Sequence, residues 1–176
     1  MEFAGKRTLI LGGGVTGLAV AKILEELGAK AFIADEKSLP DFASHPIDDY
    51  SNLDYEIAVV SPGWKPTHPL ILAVQNAGIP LVSEVDLAWE FKKLHAPNQK
   101  WIAITGTNGK TTTTELTAAM LSSAGISNLA CGNVGTTIIE SVFEENPYEV
   151  LVIELSSFQI HWMQEPEFEA VAILNI

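Results

Sequence analysis

Apolar positions along this chain fall into short runs that end at glycine turns, alternating with stretches in which they recur at helical spacing. "RTLIL" runs into a glycine turn, after which Val20, Ile23, Leu24 and Leu27 repeat every three or four residues up to Gly28. That order predicts a strand, a turn and a helix stopped by glycine. "AFIAD" reads as the next strand, so the first segment is a strand-helix-strand unit, the signature of a parallel α/β sheet. Residues 37 to 54, rich in Pro, Asp and Ser, read as loop. "EIAVVSPG" predicts a strand ending in a Ser-Pro-Gly turn, "PLILAVQNAG" a helix opening at Pro69 and closing at Gly78, "IPLVS" a strand and "EVDLAWEFKKL" a helix.

"HAPNQK", residues 95 to 100, is polar, contains Pro97 and separates two complete patterns, so it reads as a linker. The second pattern has a strand "WIAIT", a glycine turn and a helix from Lys110 to Ala124, stopped by Gly125. "NLACGNVG" reads as strand and turn, "TTIIESVFEEN" as a helix, and "YEVLVIELSS" and "AVAILNI" as strands. The predicted fold class is α/β: a Rossmann-like open parallel sheet over residues 1 to 94, then a phosphate-loop α/β domain over 101 to 176. Domains of that second type usually carry more strands and flanking helices, so it is expected to be part of a larger one.

Composition narrows the function classes. With 47% hydrophobic and 18% charged residues the chain can bury a substantial core, and disorder is not expected. The net charge of -12, with no local cluster of Lys and Arg, argues against nucleic-acid binding. A small nucleotide needs only a local nest of donors, so it stays open. No signal peptide and no spanning segment is read, and the single cysteine, Cys131, excludes an internal disulfide and is expected as core filler. A cytoplasmic protein is expected.

The turn in "WIAITGTNGKTTTT" places Gly106, Gly109 and Lys110 between a strand and a helix. Unpaired backbone N–H groups and the positive end of the helix dipole meet there, which suits phosphate oxygens. Lys110 can reach the β and γ oxygens and the Thr111 hydroxyl can ligate Mg²⁺. A bare glycine turn with a solvated lysine is the competing reading; Gly-Lys-Thr after the apolar strand "IAIT" favours the phosphate. Thr113 and Thr114 read as helix surface. A phosphate loop also needs an acid to hold metal, and "VLVIE" supplies Glu154 at the expected C-terminal edge of a strand.

Near the start, Gly12, Gly14 and Gly17 match Gly-x-Gly-x-x-Gly, with Asp35 at the end of the next strand. Such a turn serves NAD, as in an NAD-dependent oxidoreductase, or any ligand with a diphosphate and a ribose, such as a UDP-sugar. The phosphate loop later in the chain favours a nucleotide-linked substrate on the first sheet and ATP on the second. His45, His68, His95 and His161 lack metal-ligand spacing and are expected in solvated or capping roles. Trp64 either stacks on a base or covers the sheet edge, and Trp89 and Trp101 are expected in packing.

"ITGTNGKTTT" resembles the shortened phosphate loop of the Mur ligases, ATP-dependent amide-forming enzymes of bacterial cell-wall synthesis. "LGGGVTG", "VSPGWKPTHP", "CGNVG" and "VIELSSFQ" extend the resemblance over essentially the whole chain, most like the branch that adds D-glutamate. The resemblance implies that Gly106, Thr107, Asn108, Gly109, Lys110, Thr111 and Thr112 bind ATP, with Thr111 and Glu154 on Mg²⁺ and Lys110 and Glu154 catalytic. It implies UDP-substrate contacts from Gly14, Val15, Thr16, Asp35, Glu36, Ser61, Pro62 and Gly63, with Asn133 near the substrate's diphosphate and sugar and Glu154, Ser156 and Ser157 at the metal and substrate end of the ATP site, Ser157 on the substrate itself. Family members often have a basic or hydroxyl side chain where Glu36 and Lys37 stand, a pattern from which Glu36 departs. The implied partners are UDP-N-acetylmuramoyl-L-alanine, D-glutamate and ATP, joined through an acyl phosphate, in a monomer without membrane insertion. The family's two-metal site and its third domain draw on segments beyond residue 176, so residues 1 to 176 alone are expected to bind substrate without turnover. A non-catalytic nucleotide-binding module is the alternative from another class.

Overall fold

The computed structural model describes residues 3–37 and 39–176; Met1 and Glu2, at the start of the stretch read for a leader, and Ser38 of the predicted loop lie outside the described residues. The chain forms two compact units, Met1–Glu84 and Val85–Ile176. No described helix is long and apolar enough to cross a membrane.

In the first unit, β1 (Arg7–Leu11), α1 (Val15–Glu26), β2 (Lys30–Ala34), a two-residue β3 (Ala43–Ser44), β4 (Ile57–Val60), α2 (Pro69–Asn76) and β5 (Leu81–Ser83) succeed one another. The strands form a parallel sheet in the order β3-β2-β1-β4-β5. Leu9, Ile10 and Leu11 of β1 and all of β4 are buried, as expected of inner strands covered on both faces. From β1 the chain builds outward to β2 and β3, then returns to the other side of β1 for β4. The strand order therefore reverses between β1 and β4, and their C-terminal ends open the crevice in which such sheets hold ligands.

The second unit contains α3 (Glu84–His95) from its second residue on, then β6 (Lys100–Thr105), α4 (Lys110–Ser123), β7 (Asn128–Gly132), α5 (Ile138–Val142), β8 (Val150–Glu154), α6 (Ser157–Trp162) and β9 (Ala170–Ile173). Its parallel sheet runs β7-β8-β6-β9. Here β6 is the switch strand, so the loop that leaves its C-terminal end lies between the ends of β8 and β9.

Three local features differ from the sequence reading. The units divide between Glu84 and Val85, not within 95 to 100, because α3 packs on aromatic residues of the second unit. Trp89 lies edge-on to Trp101 at 5.1 Å, Phe91 to Phe143 at 4.8 Å, and the Asp86 carboxylate accepts the Gln164 and Glu165 N–H groups. Helix α5 stops at Val142, four residues short of Asn146; Phe143 turns onto the ring of Phe91, and Pro147 disfavours helix at the residue before it. Helix α6 occupies a stretch that the periodicity leaves without a helix.

Candidate functional site

Helices α1 and α4 both start at a glycine without a side-chain cap, Gly14 and Gly109, whereas α2, α5 and α6 are capped by His68, Thr137 and Ser156. The first N–H groups of a helix have no partner within it. At α1 these belong to Val15, Thr16 and Gly17, and at α4 to Lys110, Thr111 and Thr112. Each set sits at the positive end of a helix of at least twelve residues, just past an inner strand of its sheet.

In the first unit, Gly17 lets α1 approach β1: a Cβ there would lie 1.8 Å from the Gly12 carbonyl oxygen. The Asp35 carboxylate folds into the turn, accepting Gly13 N–H at 2.7 Å and Lys37 N–H at 2.9 Å. These amides, Gly13 foremost, hold its pKa below the ordinary carboxylate value. Ser61, after β4, donates its backbone N–H to Leu11 O and its hydroxyl to Gly12 O at 3.4 Å. An open cleft of about 420 Å³ is lined by Asp35, Glu36, Gly63, Trp64, Lys65 and His68. Of the first-unit residues expected at substrate, Gly14, Val15, Thr16, Asp35, Glu36, Ser61, Pro62 and Gly63 all lie just past the C-terminal ends of β1, β2 and β4. Trp64 belongs to that cleft and stands edge-on to His68 at 4.5 Å.

In the second unit, Gly109 adopts a left-handed conformation, φ 81°, which turns the chain from the loop into α4. The Lys110 ammonium donates to Gly106 O at 2.9 Å, lying back over the loop. Glu154 is 2% exposed, and its two oxygens accept from the Thr111 hydroxyl at 2.7 Å and the Asn133 amide at 2.9 Å. Asn133 is held in turn by its N–H to Glu154 O at 2.9 Å. Among the described residues no ion pair joins Glu154 to a cation, and no group of three or more His, Cys, Asp or Glu could hold a metal. A buried carboxylate satisfied only by a hydroxyl and an amide is costly to desolvate. One carboxylate and one hydroxyl 2.7 Å apart fit Mg²⁺, which binds few protein oxygens and takes the rest from water and phosphate.

The remaining expectations divide. Ser157 opens α6 behind the Ser156 cap, whose hydroxyl accepts Gln159 N–H. Thr114 is buried, 3% exposed, with its hydroxyl unpartnered, and is not helix surface. His45 is buried too, between the Tyr55 hydroxyl and Asp49 O, so it is neither solvated nor a cap. Cys131 is buried as filler and Trp101 lies in the core. Sequence reasoning missed Asn175, two residues past β9, which bonds to the loop at Thr107 and Asn108. Its signal was positional only, the end of a strand beside β6.

The family model for the Mur ligase middle domain matches residues 104–176, the loop and the strands around it. A UDP-N-acetylmuramoylalanine--D-glutamate ligase from Streptomyces coelicolor is 38% identical over 99% of this chain and 40% of its own length. The chain belongs to the Mur ligase family. A ligase of the same description from Frankia casuarinae is 40% identical, over the whole chain and 39% of its length. The chain thus spans about two fifths of the curated relatives it matches. Among solved structures, UDP-N-acetylmuramate:L-alanyl-gamma-D-glutamyl-meso-diaminopimelate ligase from Neisseria meningitides superposes with a TM-score of 0.53 at 22% identity, over 86% of this chain and 52% of that one. A UDP-N-acetylmuramate-alanine ligase from Thermotoga maritima gives 0.50 at 21%, over 85% and 37%. These two structures share the fold with this Mur ligase chain.

Proposed function

We propose that this chain carries the UDP-substrate and ATP units of a ligase that joins D-glutamate to UDP-N-acetylmuramoyl-L-alanine in peptidoglycan precursor synthesis. The observation that carries the reading is the buried Glu154, bonded to Thr111 and Asn133 beside an uncapped helix start. The identity of 38% and 40% to ligases of that description, along the whole chain, supports the choice of substrate.

In this reading the amides of Gly109 to Thr112 bind phosphate oxygens, and Lys110 leaves Gly106 O to reach the outermost phosphate. The L-alanyl carboxylate takes the γ-phosphoryl group of ATP and ADP leaves; the D-glutamate amine then displaces phosphate from the acyl phosphate to form the amide, and a bound Mg²⁺ would supply screening of charge between the two anions. Thr111 and Glu154 would hold that metal, and Asn133 keeps the Glu154 carboxylate aimed. Catalysis is positioning and charge neutralisation, with Lys110 and Glu154 as the groups that act. On the first unit, the amides of Val15 and Thr16 receive the diphosphate, and Asp35, Glu36 and Ser61 to Gly63 receive the uridine side. Asn133 approaches the substrate near its diphosphate and sugar, and Ser157 serves the substrate end of the ATP site. A monomer in a reducing cytoplasm completes the reading, in keeping with one buried thiol.

Titration calorimetry tests it. The chain is expected to bind UDP-N-acetylmuramoyl-L-alanine and ATP, the latter tighter with Mg²⁺, and to ignore NAD. Lys110→Ala should weaken ATP at least about tenfold, or 1.4 kcal/mol. Glu154→Gln should abolish the gain from Mg²⁺ while leaving metal-free ATP binding in place. Tighter binding of NAD than of the UDP compound, or an unchanged ATP affinity in Lys110→Ala, would sink the proposal.

A further inference from the structure

The loop from Gly106 to Gly109 has few ways to satisfy its own backbone, because only Thr107 and Asn108 separate the two glycines. Each of their N–H groups must meet a protein acceptor, a ligand or water. In the structure both meet the same residue. Thr107 N–H donates to the Asn175 main-chain O at 3.2 Å, and Asn108 N–H to its Oδ1 at 2.8 Å. The Asn175 Nδ2 completes the grip by donating to Asn108 O at 3.0 Å. One side chain thus satisfies both backbone groups of Asn108, which needs an acceptor and a donor side by side, as an amide provides. Approach is close: a Cβ on Gly106 would lie 3.1 Å from Asn175 N and 3.2 Å from its O. The contact extends the sheet, since Thr105 pairs with Ile173 and Leu174 N–H donates to Thr105 O.

We infer that Asn175 is a positioning residue for the ATP loop, closing its short arc by taking the Thr107 and Asn108 amides. An N–H aimed at Asn175 is not aimed at phosphate, so these two residues shape the loop, and the phosphate donors are the amides at the start of α4. The inference rests on the ATP reading above and narrows it from seven loop residues to the helix side. Asn175 itself touches no reacting atom in this account.

Amide exchange by NMR and ATP calorimetry on the same chain decide the matter. In Asn175→Ala the Asn108 amide should exchange at least about tenfold faster, and Thr107, bonded to a main-chain oxygen that the substitution keeps, should change less. Asn175→Asp, which retains the acceptor, should restore protection at Asn108. Both variants lose the Nδ2 donor and should bind MgATP about tenfold more weakly, with affinity for the UDP compound unchanged. Should Asn175→Ala prove unfolded, Asn175→Asp alone carries the affinity measurement. Unchanged exchange at Asn108, or ATP affinity within about twofold of the parent in both variants, overturns the inference. Lys110→Ala separates the two proposals: it should weaken ATP yet leave the Asn108 amide protected. If the parent binds no ATP, the ATP reading falls, and exchange at Asn108 still decides whether Asn175 shapes the loop.

Discussion

The Asp35 carboxylate shows how one residue joins sequence motif to local stability. In the dinucleotide fingerprint the acid is read as a ligand for ribose. In this fold its two oxygens already receive the backbone N–H groups of Gly13 and Lys37, which stabilise the charged form and lower its pKa. A carboxylate whose folded pKa is depressed adds stability above its unfolded value, near 3.9, and loses it as pH falls through the lower folded value. Protection of the Gly13 amide is therefore expected to hold at pH 5 and above and to decay below about pH 4. In Asp35→Asn that acid-dependent loss should disappear, leaving a weaker turn at every pH. Amide exchange at Gly13 across the acid range checks this, and the same decay in both proteins would contradict it.

Among the elements, α4 carries the sharpest contrast between pattern and packing. Four consecutive threonines are poor helix formers, and Thr111 has a site contact that explains its presence. Thr114 does not: its hydroxyl is buried without a partner, on a helix packed against the strands that carry Ile104 and Val152. An unsatisfied buried hydroxyl costs about 1 to 3 kcal/mol, so Thr114→Val should stabilise the second unit by up to about 1 kcal/mol after helix propensity is counted. Urea unfolding monitored on that unit's signals measures it; a loss of stability would mean that the hydroxyl has a partner in solution. The strands were legible because inner parallel strands are continuous apolar runs: "IAVV" and "VLVI" need no long-range information. Helix α6 was not, although Ser156 and Gln159 form a reciprocal capping box. The apolar run before it draws the eye past a start signal that lies in the residue pair and not in periodicity. The loop's lysine and glycines were legible, as was the acid. Asn175 was hidden, because its contact joins positions 67 apart and exists only once β9 lies beside β6.

For the molecule as a whole, charge and chemistry pull in opposite directions. Ten basic residues against 22 acidic give -12, so both proposed ligands, themselves anions, approach a repelling field. That repulsion acts at a distance and is screened by salt, whereas amides at the loop act at contact and are screened little. The screening length falls from about 30 to 10 Å as ionic strength rises from about 0.01 to 0.1 M. Over that range the association rate of ATP at fixed Mg²⁺ is expected to increase, with the dissociation rate nearly constant. A protein that gathered nucleotides through a broad basic surface would behave in the opposite sense, its association slowing with added salt. Stopped-flow mixing with a fluorescent ATP analogue distinguishes the two. A rate that falls with salt would show that local cations, Lys110 among them, dominate the approach as well as the bound state.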